Sequence, residues 1–97
     1  MAKIQSILDA EIGANMRRLR MAAGLTLEAL SYRLGITFQQ VQKYESGANR
    51  ISASRLALIC AVLLCPVTEI ITDEVVSDAL DDRQTDLGEA IEERQAA

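Results

Sequence analysis

Ile4, Leu8, Ile12, Met16 and Leu19 recur every three or four residues, which draws one apolar stripe along a helix. Gly24 closes that pattern after Ala22-Ala23, and Asp9 is placed to cap its start. Two arrangements stay open for Ile4 and Leu8: an upstream extension of the helix, or an arm that packs on it. The segment Leu25–Leu34 predicts a second helix over about 26–34, capped by Thr26 and ended by Gly35. One apolar residue later, Thr37 caps a third over about 38–46, and Thr37-x-x-Gln40 has the form of a capping box, which pairs backbone N–H groups that the helix leaves open. Val41 and Tyr44 face one way on it, whereas Phe38, Gln39, Gln42 and Lys43 face elsewhere. Gly47-Ala-Asn-Arg-Ile51 reads as a loop. Ser52 then caps a fourth helix with Leu56, Ile59 and Leu63 inward. Pro66 restarts the chain, and Val67–Ile71 reads as a short fifth helix.

After Thr72 the character changes. The stretch 73–97 is acidic yet carries Val76, Leu80, Leu87 and Ile91 at near-helical spacing. It predicts either an amphipathic helix, interrupted near Arg83–Asp86 and weakened by Gly88, or a solvated tail, because an isolated helix of this length is marginal without a packing partner. The expected organisation is therefore all-α: a five-helix domain over 1–72 followed by an acidic C-terminal extension over 73–97.

Composition supports a folded helical chain. Apolar residues make up 49% of the 97, with three aromatics and one proline. No apolar run approaches the roughly 18 residues of a membrane span, and the start lacks the apolar stretch of a signal peptide, so a cytoplasmic protein is expected. Net charge is −4, but its distribution matters more. Residues 1–65 hold eight basic and four acidic groups, a balance of +4, and residues 66–97 hold two basic and ten acidic groups, a balance of −8. Cys60 and Cys65 stand in apolar surroundings and read as small buried hydrophobes. With no histidine and no further cysteine, no metal site is expected. No glycine-rich phosphate loop and no nucleophile–base pair is apparent, so neither an enzyme nor a cofactor is expected.

The third helix carries the chemistry. An inward apolar edge and an outward face of amides and a cation suit the major groove, where amides pair with adenine, a cation with guanine acceptors and an apolar group with a thymine methyl. Phe38, Gln39, Gln42 and Lys43 are the candidate base contacts. Phe38 has a second reading, packing against its own domain, and Thr37 combines capping with a candidate phosphate contact. Helices two and three together make a helix-turn-helix.

The order Gly24-Leu-Thr-Leu-Glu-Ala-Leu, Leu34-Gly-Ile-Thr and Val41-Gln-Lys-Tyr-Glu-Ser-Gly47 resembles the Xre family of bacterial and phage regulators, which includes the lambdoid repressors and Cro. The resemblance runs from about Ile12 to Ile71 and rests on Arg20, Gly24, Leu30, Gly35, Val41, Glu45 and Gly47 in order and spacing. It implies that Gln39 and Lys43 fall where groove-reading side chains stand, and that the loop with Asn49 and Arg50 runs along the DNA backbone. Ser52 and Ser54, at the start of helix four, are further candidate phosphate contacts. Arg17 or Arg18 can add one from helix one. Arg20 and Glu45 are implied to form an ion pair between helices one and three, which excludes them from reading DNA. Val67, Ile70 and Ile71 offer apolar side chains beyond what the core needs, and related repressors pair through this region, so they are the candidate dimer interface. Two departures stand out. Leu27 replaces the glutamine common at the first position of helix two, and Leu64-Cys65 replaces a Gly-Val pair, so the usual left-handed glycine cap of helix four is expected to be missing.

The expected function is a sequence-specific DNA-binding transcriptional regulator, a repressor or controller, acting as a homodimer on a palindromic site in double-stranded DNA. A second expectation is an antitoxin whose acidic tail orders itself on a basic toxin. A third is a helix-turn-helix relative that has lost DNA binding and serves as a protein-interaction module.

Overall fold

A computed structural model describes residues 3–82 of the chain. Four α-helices are followed by one 3-10 turn and a last helical stretch: α1 (Lys3–Ala22), α2 (Leu27–Leu34), α3 (Phe38–Ser46), α4 (Ala53–Leu63), the turn Val67–Glu69, and α5 (73–82). The all-α, repressor-like expectation holds.

Local chemistry sets most boundaries. The Thr26 hydroxyl accepts from the Ala29 N–H at 3.0 Å, Thr37 from Gln40 at 3.2 Å, and Ser52 from Arg55 at 3.1 Å. Each such cap is worth about 1 kcal/mol. Gly35 and Gly47 end α2 and α3 at φ 70° and 80°, a region open to glycine and strained for other residues.

Four expectations are corrected. First, α1 runs unbroken from Lys3, so Asp9 lies inside the helix and is not its N-cap. Its carboxylate instead pairs with Arg50 at 3.1 Å, a partner 41 residues away that no local pattern signals. Second, the cap glycine is missing as expected, but α4 does not end differently for lack of it: it still closes in a left-handed cap. Leu64 itself adopts φ 53° and ψ 45°, and the Cys65 N–H then reaches the Cys60 carbonyl at 3.1 Å. The carbonyls at the helix end are satisfied at a backbone cost of about 1–2 kcal/mol for a residue with a Cβ. Third, the fifth helix is a single 3-10 turn, and Ile70 after it points into the core with no exposed surface. Asn15 holds this turn by donating to the Ile70 carbonyl at 2.9 Å. Fourth, α5 has a different phase. Thr72 caps it by accepting from the Val75 N–H at 3.3 Å, and Val75 is buried while Val76 and Leu80 are exposed. Leu87, Ile91 and the expected interruption near Arg83–Asp86 lie outside the described residues.

Met16, Leu30, Val41, Ile59 and Ile70, one each from α1, α2, α3, α4 and the segment after the 3-10 turn, are fully buried and meet in one core. Burying a side chain of this size contributes about 1.5–3 kcal/mol. Helices α1 and α3 come close at two glycines. A Cβ on Gly13 would strike the carbonyls of Tyr44 and Glu45, and one on Gly47 would lie 2.7 Å from the Ala10 Cα. Cys60 is buried beside this core and Cys65 is half-buried, both as free thiols. Burial and the neighbouring Cys60 push the Cys65 thiol up to about 11, so it stays protonated and packs as a small hydrophobe. Among the described residues no helix is long and apolar enough to cross a membrane.

Candidate nucleic-acid interface

The third helix is seated firmly. Val41 and Tyr44 turn into the core, and the opposite face presents Gln39, Gln42 and Lys43 to solvent. Phe38 opens this face on the first turn with 39% of its surface exposed, so packing within its own domain leaves much of the ring available. The implied ion pair is present. Arg20 Nε donates to Glu45 Oε2 at 2.8 Å and Nη2 to Oε1 at 3.1 Å, with side chains 9% and 6% exposed. The remaining nitrogen, Nη1, donates to the Leu25 carbonyl at 2.8 Å. One guanidinium thus ties α1 to α3 and to the entry of α2. Neither charge is available for a ligand.

The candidate phosphate contacts gather around the ends of α3 and α4. Thr37 precedes α3, and its hydroxyl hydrogen remains free to donate while the oxygen caps the helix. After α3, the Asn49 N–H closes the loop on the Lys43 carbonyl at 3.1 Å. Arg50 follows, held by Asp9 and, at 3.4 Å, by Gln5. Ser52 and Ser54 lie 3.4 Å apart, hydroxyl to hydroxyl, at the start of α4.

The structure also separates arginines that look alike in sequence. Arg17 lines a groove of about 360 Å³ with Leu27, Gln42 and Ser46, beside the outward face of α3. Arg18 reaches towards the Glu69 carbonyl at 3.5 Å, and Arg55 donates to the Leu34 carbonyl at 3.3 Å, where it complements the C-terminal end of α2. Helical periodicity alone cannot tell Arg17 from Arg18, since both are exposed on the same turn of α1.

The candidate dimer residues do not behave alike. Val67 is 49% exposed, Ile71 is half-buried, and Ile70 is buried within the single chain, so Ile70 is unavailable to a partner. Leu58 and Leu64, absent from the sequence expectation, are 54% and 91% exposed. Leu58 falls off the inward stripe of α4 by one residue, which is the signal that would have found it.

Acidic groups collect on α5, with Asp73, Glu74, Asp78, Asp81 and Asp82 among its ten described residues. This helix lies along the start of α1, where Ala79 and Asp82 share a groove with Ile4, Gln5 and Leu8. Asp78 faces Glu11 of α1. That contact, burial and the nearby Glu74 raise the Glu11 carboxyl above its ordinary value.

Comparison with known proteins places this geometry. The helix-turn-helix family model HTH_3 matches residues 16–70. The chain is 47% identical over 66 residues to an uncharacterized transcriptional regulator in the ATPase CF(0) region of Rhodospirillum rubrum, covering 68% of this chain and 61% of that protein. It is 46% identical over 66 residues to an HTH-type transcriptional regulator of Sinorhizobium medicae, covering 68% of this chain and 48% of the other. The matched segment therefore spans about half of these relatives' length. Among solved structures, the clp gene regulator ClgR of Corynebacterium glutamicum superposes with a TM-score of 0.67 at 28% identity, over 88% of this chain and 90% of that one. The restriction-modification controller protein C.AhdI of Aeromonas hydrophila shares the fold, with a TM-score of 0.61 at 24% identity over 72% and 98% of the two chains. This is a class of regulators and not of enzymes. The chain belongs to the helix-turn-helix family of DNA-binding transcriptional regulators.

Proposed function

We propose that this chain is a sequence-specific regulator of transcription that binds double-stranded DNA in the cytoplasm as a homodimer on a palindromic operator. The observation that carries the reading is the outward face of α3: Phe38, Gln39, Gln42 and Lys43 exposed together on a helix whose other side is fixed by core packing and a buried ion pair. Such a face can enter the major groove without distorting the domain. Gln39 and Gln42 pair with base edges, Lys43 with guanine acceptors, and the Phe38 ring lies against a thymine methyl or sugar. Thr37, Asn49, Arg50, Ser52 and Ser54 hold the backbone on either side and set the register. Residues 1–72 form the DNA-binding unit, with 73–97 as its acidic extension. Val67 and Ile71 contribute to the dimer contact. A two-fold dimer then asks for half-sites about 34 Å apart. Repression follows where the operator overlaps a promoter, because a bound dimer blocks polymerase.

Footprinting on the DNA upstream of its own gene tests the reading. Gln39→Ala and Lys43→Ala should each weaken specific binding by roughly 1–3 kcal/mol and relax preference at particular base pairs. Arg50→Ala should weaken all sequences alike and flatten the salt dependence. Unchanged gel shifts for all three refute it.

One observation favours a second reading, the antitoxin. Val76 and Leu80 stay exposed on acidic α5 (45% and 54%), a face suited to a basic protein partner. A basic toxin that forms a stoichiometric complex with the full chain, lost on Leu80→Asp, would establish it.

A further inference from the structure

Arg50 is exposed yet held from one side by two residues of α1. Its Nε donates to both oxygens of Asp9, at 3.1 and 3.4 Å, and Nη2 donates to Gln5 Oε1 at 3.4 Å. Asp9 itself is mostly covered, with 16% of its side chain exposed, against 63% for Arg50. The anchor is thus embedded in α1 and the cation projects from it. A guanidinium has five N–H groups. Asp9 and Gln5 engage one edge, and among the described residues Nη1 has no hydrogen-bond partner, so that end of the fork is open to another acceptor. The backbone around Arg50 is pinned at the same place. Gly47 lies against Ala10 one residue from Asp9, and the Asn49 N–H closes on Lys43. Gln5 and Asp9 both stand upstream of the family match, which begins at residue 16.

We infer that Asp9 and Gln5 are positioning residues for Arg50: the first turns of α1 hold the guanidinium by its Nε edge and present the Nη1 end to a DNA phosphate. This rests on the DNA-binding reading above and adds to it a part for the N-terminal half of α1. The physical case is entropic. A free arginine side chain carries much rotamer entropy, and a fork already held in place loses less on forming each new bond. The opposite effect is also on hand, because a carboxylate beside DNA repels phosphate. The two have different signs and can be separated.

The test is a double-mutant cycle on the full chain, with a random-sequence 30-base-pair duplex as probe and binding read by fluorescence anisotropy at two salt concentrations. Phosphate contacts do not depend on sequence, so no operator is needed. Asp9→Asn removes the charge and keeps the shape. In the Arg50 background it should weaken binding by about threefold to tenfold. In the Arg50→Ala background it should have no effect or tighten binding slightly. Gln5→Ala should show the same pattern with a smaller loss. Helicity and melting temperature of each variant confirm folding, and where Asp9→Asn is unstable Gln5→Ala carries the cycle. An equal effect of Asp9→Asn in both backgrounds, or tighter binding in the Arg50 background, overturns the inference while leaving DNA binding in place. Failure of the unsubstituted protein to bind any duplex at low salt overturns the regulator reading and this inference with it.

Discussion

Removing Glu45 should cost more than any other single change at the protein's charged positions. The carboxylate accepts two hydrogen bonds from Arg20, and both side chains are more than nine-tenths covered. Glu45→Ala leaves a buried guanidinium with the Leu25 carbonyl as its remaining partner. Stranding one member of a buried pair costs roughly 3–5 kcal/mol. A domain of this size has about 5–15 kcal/mol in total, so the loss takes at least about a fifth of the margin and, at the low end of that range, all of it. At about 4–8 °C per kcal/mol the melting temperature should fall by at least ~12 °C. Arg20→Ala should cost less, since the freed carboxylate can take up water more readily than a guanidinium fixed by Leu25. Replacing both with apolar residues, Arg20→Met with Glu45→Leu, should recover most of the loss, because the desolvation of two charges is then relieved together. Urea unfolding followed by circular dichroism at 0.1 and 1 M salt measures the cycle. A cost of Glu45→Ala under about 1 kcal/mol, or a difference erased by high salt, would mark a solvated surface pair and refute a buried one.

Leu64→Gly should stabilise the protein by about 0.5–1 kcal/mol: it relieves roughly 1–2 kcal/mol of left-handed strain, gives back about 0.5–1 in chain entropy, and loses little burial from a side chain 91% exposed. Thermal melts check this, and a lower melting temperature counts against the strain. Val67→Asp should produce folded monomers by light scattering, whereas Ile70→Asp should not fold, because Ile70 is a core residue. A dimeric Val67→Asp protein would move the interface elsewhere, with exposed Leu58 and Leu64 the next candidates. Asp78→Asn should raise stability at neutral pH. Glu11 holds its proton to higher pH in the folded chain than in the unfolded one, so folding loses stability as pH rises through the interval above the ordinary carboxylate value. The gain from Asp78→Asn should shrink as pH falls below that interval, and a gain independent of pH would count against the Glu11–Asp78 contact.

What the sequence makes legible is what is decided nearby in the chain. Thr26, Thr37 and Ser52 cap helices through bonds three residues long, and Val41 with Tyr44 marks the inner face of α3 by spacing alone. The outward set of Phe38, Gln39, Gln42 and Lys43 follows as the complement. The misses are tertiary. Asp9 has the chemistry of a cap and the partner of a tether, and the partner is 41 residues distant. Leu64 occupies a left-handed position that composition assigns to glycine, because the bonds closing α4 outweigh the strain. Ile70 and Ile71 are equivalent as letters, but the turn held by Asn15 sends only Ile70 fully inward. In α5 the Thr72 cap fixes the helical phase, which buries Val75 in place of Val76.

The close approach at Gly13 and Gly47 bears on how such a protein can change its specificity. At these two points main chain meets main chain, and no side chain stands between the helices there to be swapped. The depth at which α3 sits is therefore written in two glycines and a buried ion pair, none of which faces outward. Phe38, Gln39, Gln42 and Lys43 can be exchanged as a set without moving the helix that carries them. On the proposed reading, a lineage of such proteins would drift to new operators by rewriting four exposed letters, while a single methyl group at Gly13 or Gly47 would displace every one of them at once.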